Sequence, residues 1–204
     1  MIISSSKPFE EVLASLKGID NIFVIGCNVC AARLRLGGEP EVLAMCDKLK
    51  TSGKNVVGWI IPTAACSIRS SAALIEKNPA ILKADAILVM ACGSGTSVVS
   101  RLVKVPVYPS NNTDSLGGRS GEEVLPHLCA MCGACNIQDF GGICPKANCP
   151  KGLLNGPCGG SVSGKCEVDP EKDCAWELIY RQLENTGRLE LLEKIIEPRS
   201  YSFI

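Results

Sequence analysis

The stretch Ile22-Phe23-Val24-Ile25-Gly26-Cys27-Asn28-Val29-Cys30 decides the architecture. Four apolar residues of high β-propensity in an unbroken run read as a short strand buried on both faces, the kind found in parallel sheets. A C-x2-C pair follows the strand directly. In an open parallel sheet the loops at the carboxyl ends of the strands line one crevice, where ligands bind. A cysteine pair at that point is therefore placed for chemistry as well as for packing.

Working outward, strands and helices alternate. Phe9, Val12, Leu13 and Leu16 follow the spacing of one helical face, which Gly18 terminates. Pro40 opens a second helix, with Val42, Leu43, Cys46 and Leu49 on one face before Gly53. Val56–Ile61 reads as a strand, Ser67–Lys77 as a helix, Ala86–Met90 as a strand, Ser97–Leu102 as a short helix and Val105–Tyr108 as a fourth strand. This alternation predicts an α/β, Rossmann-like, mostly parallel sheet domain over residues 1–110. Residues 111–126, rich in Asn, Ser, Gly and Asp, read as a linker loop.

From residue 127 to 174 hydrophobic periodicity is lost, and eight cysteines crowd together with glycines and prolines. So little apolar material cannot order itself, so a small cysteine-rich domain over 127–204 is expected to take a metal cofactor as its core. Helical periodicity returns after Cys174. Trp176, Ile179, Tyr180 and Leu183 share a face, Asn185-Thr186-Gly187 interrupts, and Leu192–Ile196 suggests a further short helix. The apolar Leu191-Leu192, Ile195-Ile196 and the tail Tyr201-Ser202-Phe203-Ile204 read either as a docking edge for a partner or as packing onto the chain's own first domain.

Composition narrows the chemistry. The 204 residues carry 21 Lys+Arg against 21 Asp+Glu, and only 4% are aromatic. Neither a nucleic acid nor an anionic membrane surface is the expected partner of so neutral a chain. No apolar stretch is long enough to span a bilayer, and the N-terminus shows no secretory pattern, so a cytoplasmic location is expected. Thirteen cysteines against a single histidine, His127, then point to sulfur chemistry. An odd count in a reducing compartment disfavours a disulfide framework and favours metal ligation.

Twelve of these cysteines sort into fours. Cys27, Cys30, Cys66 and Cys92 each follow a predicted strand, so the sheet should bring them to one edge as a tetrahedral zinc site or an iron–sulfur cluster. Cys129, Cys132, Cys135 and Cys144 form C-x2-C-x2-C with a fourth cysteine before Pro145. They approach the ferredoxin run, with Gly141-Gly142 in a longer gap to loop the chain back. Cys149, Cys158, Cys166 and Cys174 remain, at a spacing that also suits structural zinc. Gly152, Gly156, Gly159, Gly160 and Gly164 around them would let backbone N–H groups reach sulfur. Cys46, in mid-helix, reads as a small core residue. His127 reads as a solvated loop histidine, and Cys92-Gly93-Ser94-Gly95-Thr96 matches neither a P-loop nor a dinucleotide fingerprint.

The segment Cys144-Pro145-Lys146-Ala147-Asn148-Cys149-Pro150-Lys151-Gly152-Leu153-Leu154-Asn155-Gly156-Pro157-Cys158-Gly159-Gly160, continuing to Gly164-Lys165-Cys166-Glu167-Val168 and Cys174-Ala175-Trp176, resembles the MetV family. That family is the small metal-binding subunit of the methylenetetrahydrofolate reductase of acetogenic bacteria. The resemblance extends over the whole chain, with residues 129–183 carrying most of it. It implies a non-flavin subunit bound to a flavin-containing TIM-barrel partner that reduces 5,10-methylenetetrahydrofolate to 5-methyltetrahydrofolate in the methyl branch of the reductive acetyl-CoA pathway. It also implies two to three [4Fe–4S] clusters on the twelve grouped cysteines, zinc in one cysteine site as a variant, and ferredoxin or another carrier as electron donor. The alternatives are a zinc-stabilised interaction subunit and, from another class, a stand-alone reductase working at a cluster beside the 109–126 loop.

Overall fold

A computed structural model describes residues 1–197; residues 198–204, which include the tail Tyr201–Ile204, lie outside the described residues. The chain forms two compact units that divide between Ser115 and Leu116.

The first unit is α/β. A four-stranded parallel sheet has the order β3-β2-β4-β5, with β2 Asn21–Ile25, β3 Asn55–Ile60, β4 Ala86–Val89 and β5 Val107–Pro109. The central strands β2 and β4 are buried on both faces. Phe23, Ile25, Ile87 and Val89 pack on one side with Ile81 and Val99. Ile22, Val24, Leu88 and Met90 pack on the other with Val12, Leu16, Val42, Cys46 and Leu49. The period-2 alternation of a strand thus splits one apolar run between two cores.

Helices cover both faces: α1 Phe9–Ser15, the short α2 Cys30–Arg33, α3 Glu39–Thr51, α4 Ile68–Glu76 and α5 Gly93–Ser100. Pro40 lies in the first turn of α3, where the Glu41 carboxylate accepts the Gly38 backbone N–H at 2.9 Å. Val42, Cys46 and Leu49 are buried, whereas Leu43, expected on that face, is 42% exposed. Cys46 is a core residue, and burial pushes its thiol pKa up.

α5 begins at Gly93, four residues before the start expected from periodicity. The cause is packing: a side chain at Gly95 would meet Ala91 and Ala65 at 2.9 and 3.0 Å. A strand β1, Ile2–Ser6, precedes α1.

Residues 111–126 are strand rather than loop. β6, Asn111–Ser120, runs beside β1 at its start and pairs antiparallel with β7, Glu123–Cys129, from Leu116 onward. His127 therefore lies on a strand, exposed, with φ 58°.

In the second unit the core is small. Trp176, Ile179 and Leu183 of α7, Ala175–Asn185, are buried with Phe140 and Cys174, and Ile143, Cys149, Leu189, Leu191 and Ile196 pack against them. Phe140 meets Trp176 edge-on, with ring centroids 5.8 Å apart. Tyr180, expected on the buried face, is 46% exposed. A single 3-10 turn, Leu189–Glu193, stands in place of the helix expected at Leu192–Ile196. Gly187, at φ 65°, lies just past the end of α7 and separates it from that turn.

Candidate metal centres

In the first unit, the loops at the carboxyl ends of β2, β3 and β4 carry Cys27 and Cys30, Cys66, and Cys92. Cys30 is the first residue of α2 and Cys92 caps α5. The loops interlock through backbone: Gly26 N–H donates to Ile60 at 2.9 Å, Cys27 N–H to Gly37 at 2.8 Å and Asn28 N–H to Pro62 at 3.1 Å. The approach is close enough to require glycine. A Cβ on Gly37 would lie 1.9 Å from the Met90 carbonyl oxygen, and one on Gly26 would lie 2.5 Å from that of Gly37.

These loops bring Cys27, Cys30 and Cys92 into the neighbourhood of Cys66. The Ala65 backbone N–H donates to Cys27 Sγ at 3.5 Å. Partial burial pushes the Cys66 thiol pKa up, and the neighbouring Cys27, Cys92 and Cys30 push it further, so all three act on the fourth. Cys27 and Cys92 are buried, Cys30 is half-buried and Cys66 is exposed.

In the second unit, Cys129, Cys132, Cys135 and Cys144 line a single cavity of about 280 Å³, walled also by Ile137, Phe140 and Leu154. Cys129 ends β7. Left-handed backbone at Met131 (φ 50°) and Gly133 (φ 75°) curls the loop around the cavity. The Met131 N–H donates to Cys129 Sγ at 3.3 Å. The long gap before Cys144 is taken up by a 3-10 turn, Ile137–Phe140, closed by Gly141 at φ 61°. Phe140 anchors that turn in the core, which returns Cys144 to the cavity.

The last four cysteines lie on the chain leading up to α7. Cys149 packs against the α7 core, and Cys174 caps α7 with its N–H on the Gly164 carbonyl at 2.8 Å. Cys166 is joined to that segment by its N–H on Lys172 and by the Lys165–Asp173 bridge. Cys158 is exposed. The Gly160 N–H at 3.4 Å holds its thiol pKa down, with Lys151 adding to the effect, and Lys151 itself pairs with Glu167.

Two contacts explain the segment between Leu153 and Cys158. The Trp176 indole N–H donates to the Leu153 carbonyl at 3.2 Å, and Asn155 exchanges two hydrogen bonds with the Ile196 backbone. Beside it a groove of about 490 Å³ runs between Gly156, Gly159, Trp176, Tyr180 and Leu192.

No disulfide joins any of the thirteen cysteines. Among the described residues no three Cys, His, Asp or Glu side chains are already set to hold a metal ion, and no helix is long and apolar enough to cross a membrane. Sequence reasoning passed over Lys146 and Lys151, although Cys-Pro-Lys occurs twice, at 144–146 and 149–151, and was the available signal.

The fold and these sites define an α/β protein with a cysteine-rich C-terminal unit. Residues 108–202 match the family described as methylene-tetrahydrofolate reductase C terminal. The match covers somewhat less than half of the chain and includes all eight cysteines of the second unit. No curated protein and no solved structure matches the chain.

Proposed function

We propose that this chain is the MetV-type, iron–sulfur electron-transfer subunit of a methylenetetrahydrofolate reductase complex, passing electrons to the flavin of a TIM-barrel catalytic partner. The observation that carries the reading is the cavity shared by Cys129, Cys132, Cys135 and Cys144, inside the residues that match the reductase family. A [4Fe–4S] cluster takes each thiolate on a different iron, so it asks for cysteines spaced around a cavity, and it supplies one-electron chemistry when bound.

The chain's residues suit that task. The Met131 N–H at Cys129 and the Gly160 N–H at Cys158 each stabilise negative charge on sulfur and would favour the reduced form of a bound cluster. Cys27, Cys30, Cys66 and Cys92 form the second site we assign, for a cluster or for zinc, because the sheet edge converges them. Cys149, Cys158, Cys166 and Cys174 are the third group we assign. Folate and flavin chemistry is assigned to the partner, and ferredoxin or a similar carrier to the donor side.

Anaerobic purification with the partner, followed by iron, sulfide and zinc quantification, tests this. We expect iron and sulfide for two to three [4Fe–4S] clusters per chain, and the loss of one cluster in the Cys132→Ser variant. A colourless, iron-free, zinc-loaded chain that still supports reductase turnover would overturn the reading in favour of a structural subunit.

A further inference from the structure

We propose that Lys146 sets the reduction potential of the site formed by Cys129, Cys132, Cys135 and Cys144, holding it above the value the same cysteines would otherwise give. The inference rests on the iron–sulfur reading of that cavity. Lys146 is the second residue of α6, Pro145–Asn148, two residues after Cys144, and it lines the cavity together with the four cysteines. It also lines the neighbouring groove with Cys135 and Glu197, and it is half-buried.

What distinguishes Lys146 is that its charge is not cancelled. Lys151, in the second Cys-Pro-Lys, pairs with Glu167, and Lys194 pairs with Asp139 of the 3-10 turn at 2.8 Å. Among the described residues no carboxylate comes within ion-pair distance of Lys146; Glu197 shares its groove without reaching it. The helix is anchored, so the side chain is held near the site: Asn148 donates its side-chain amide and its backbone N–H to the Cys144 carbonyl, at 2.9 and 3.1 Å.

The physical argument is a charge balance. Reduction adds one electron, taken from a one-electron carrier protein of lower potential, to a cluster that four thiolates already make anionic, and no proton need accompany it. A fixed cation at the cavity wall stabilises the more negative state more than the less negative one, and partial burial weakens solvent screening of that difference. Removing the cation should therefore move the midpoint potential to a more negative value. The iron content should not change, because Lys146 supplies no ligand.

The test is an anaerobic redox titration of the purified complex, with dithionite as reductant and electron paramagnetic resonance as the readout. The signal to follow is the one lost in Cys132→Ser or Cys135→Ser. Lys146→Met, which keeps the aliphatic stem, and Lys146→Gln should both lower its midpoint potential with iron and sulfide per chain unchanged. Lys146→Arg should retain it, and Lys151→Met should leave it where it was. An unchanged midpoint in the fully loaded Met and Gln variants overturns the proposal, as does an Arg variant that falls as far as the Met variant. If no signal depends on Cys132 or Cys135 in the parent complex, the iron–sulfur reading itself fails.

Discussion

In the first unit, Phe23, Ile25, Ile87, Val89, Ile22, Val24 and Leu88 are all fully buried, and the cysteines stand at the rim of a finished core. In the second, four cysteines surround a cavity and the buried set reduces to Phe140, Cys174, Trp176, Ile179 and Leu183. One residue type meets two situations. At the sheet edge the thiols are positioned by a fold that stands without them. In the second unit they occupy places where a core would otherwise be, and α7 with a few apolar loop residues supplies the rest. A 3-10 turn, an isolated bridge and backbone-to-sulfur hydrogen bonds do not make a cooperative domain without a staple. On the metal reading proposed above, metal would be a ligand of the first unit and a structural component of the second.

Metal removal is the strongest way to break that contrast. Stripping the protein with an iron chelator should abolish amide hydrogen-exchange protection across residues 129–174 while β2 and β4 stay protected, because only the second unit takes binding free energy as folding free energy. Equal protection in both units after stripping would remove the distinction.

A substitution at the rim of the first unit probes the other side. Gly37→Ala would drive a Cβ against the Met90 carbonyl and Ala31, so the loops under Cys27 must part. We expect a loss of about 1–3 kcal/mol in urea unfolding of the first unit, and a disordered Cys27 site even where the sheet survives. A stability unchanged from the parent would show that the interlocked loops are slack.

The smallest effect concerns thiol reactivity in the metal-free protein. Cys158 is held below the usual thiol pKa by the Gly160 N–H and Lys151, whereas Cys66 is held above it by burial and by Cys27, Cys92 and Cys30. The thiolate is the reactive form and its fraction grows as pH rises through the pKa. Alkylation followed by mass spectrometry should thus begin at lower pH for Cys158 than for Cys66, and Lys151→Met should move the Cys158 onset upward. Coincident onsets would mean that the two environments do not differ.

Much of the first unit was legible because burial leaves a periodic trace. Ile22–Ile25 and Ala86–Met90 are runs that only a two-sided core explains, and Pro40 with Val42, Cys46 and Leu49 outlines α3. The misreadings fall where backbone pairing or packing, rather than side-chain pattern, decides. The first strand of the β6–β7 hairpin is built mostly from Asn, Thr, Asp, Ser and Gly, and the ladder is made by backbone groups that nearly any residue supplies. Gly93 opens α5 because Gly95 must pack on Ala65, a contact that local propensity does not register.

By itself, then, the sequence determined the sulfur chemistry, the α/β character and the position of each cysteine after its strand or inside its loop. It did so because residue type and spacing are local quantities. What brings distant cysteine-bearing loops near one another is tertiary structure. Phe140, docked against Trp176, turns the chain so that Cys144 rejoins Cys129, Cys132 and Cys135, and the parallel sheet carries Cys66 and Cys92 to Cys27 and Cys30. The cation beside one of those sites is of the same kind: Lys146 and Lys151 follow identical Cys-Pro pairs, and only the fold gives Lys151 a carboxylate and leaves Lys146 facing sulfur.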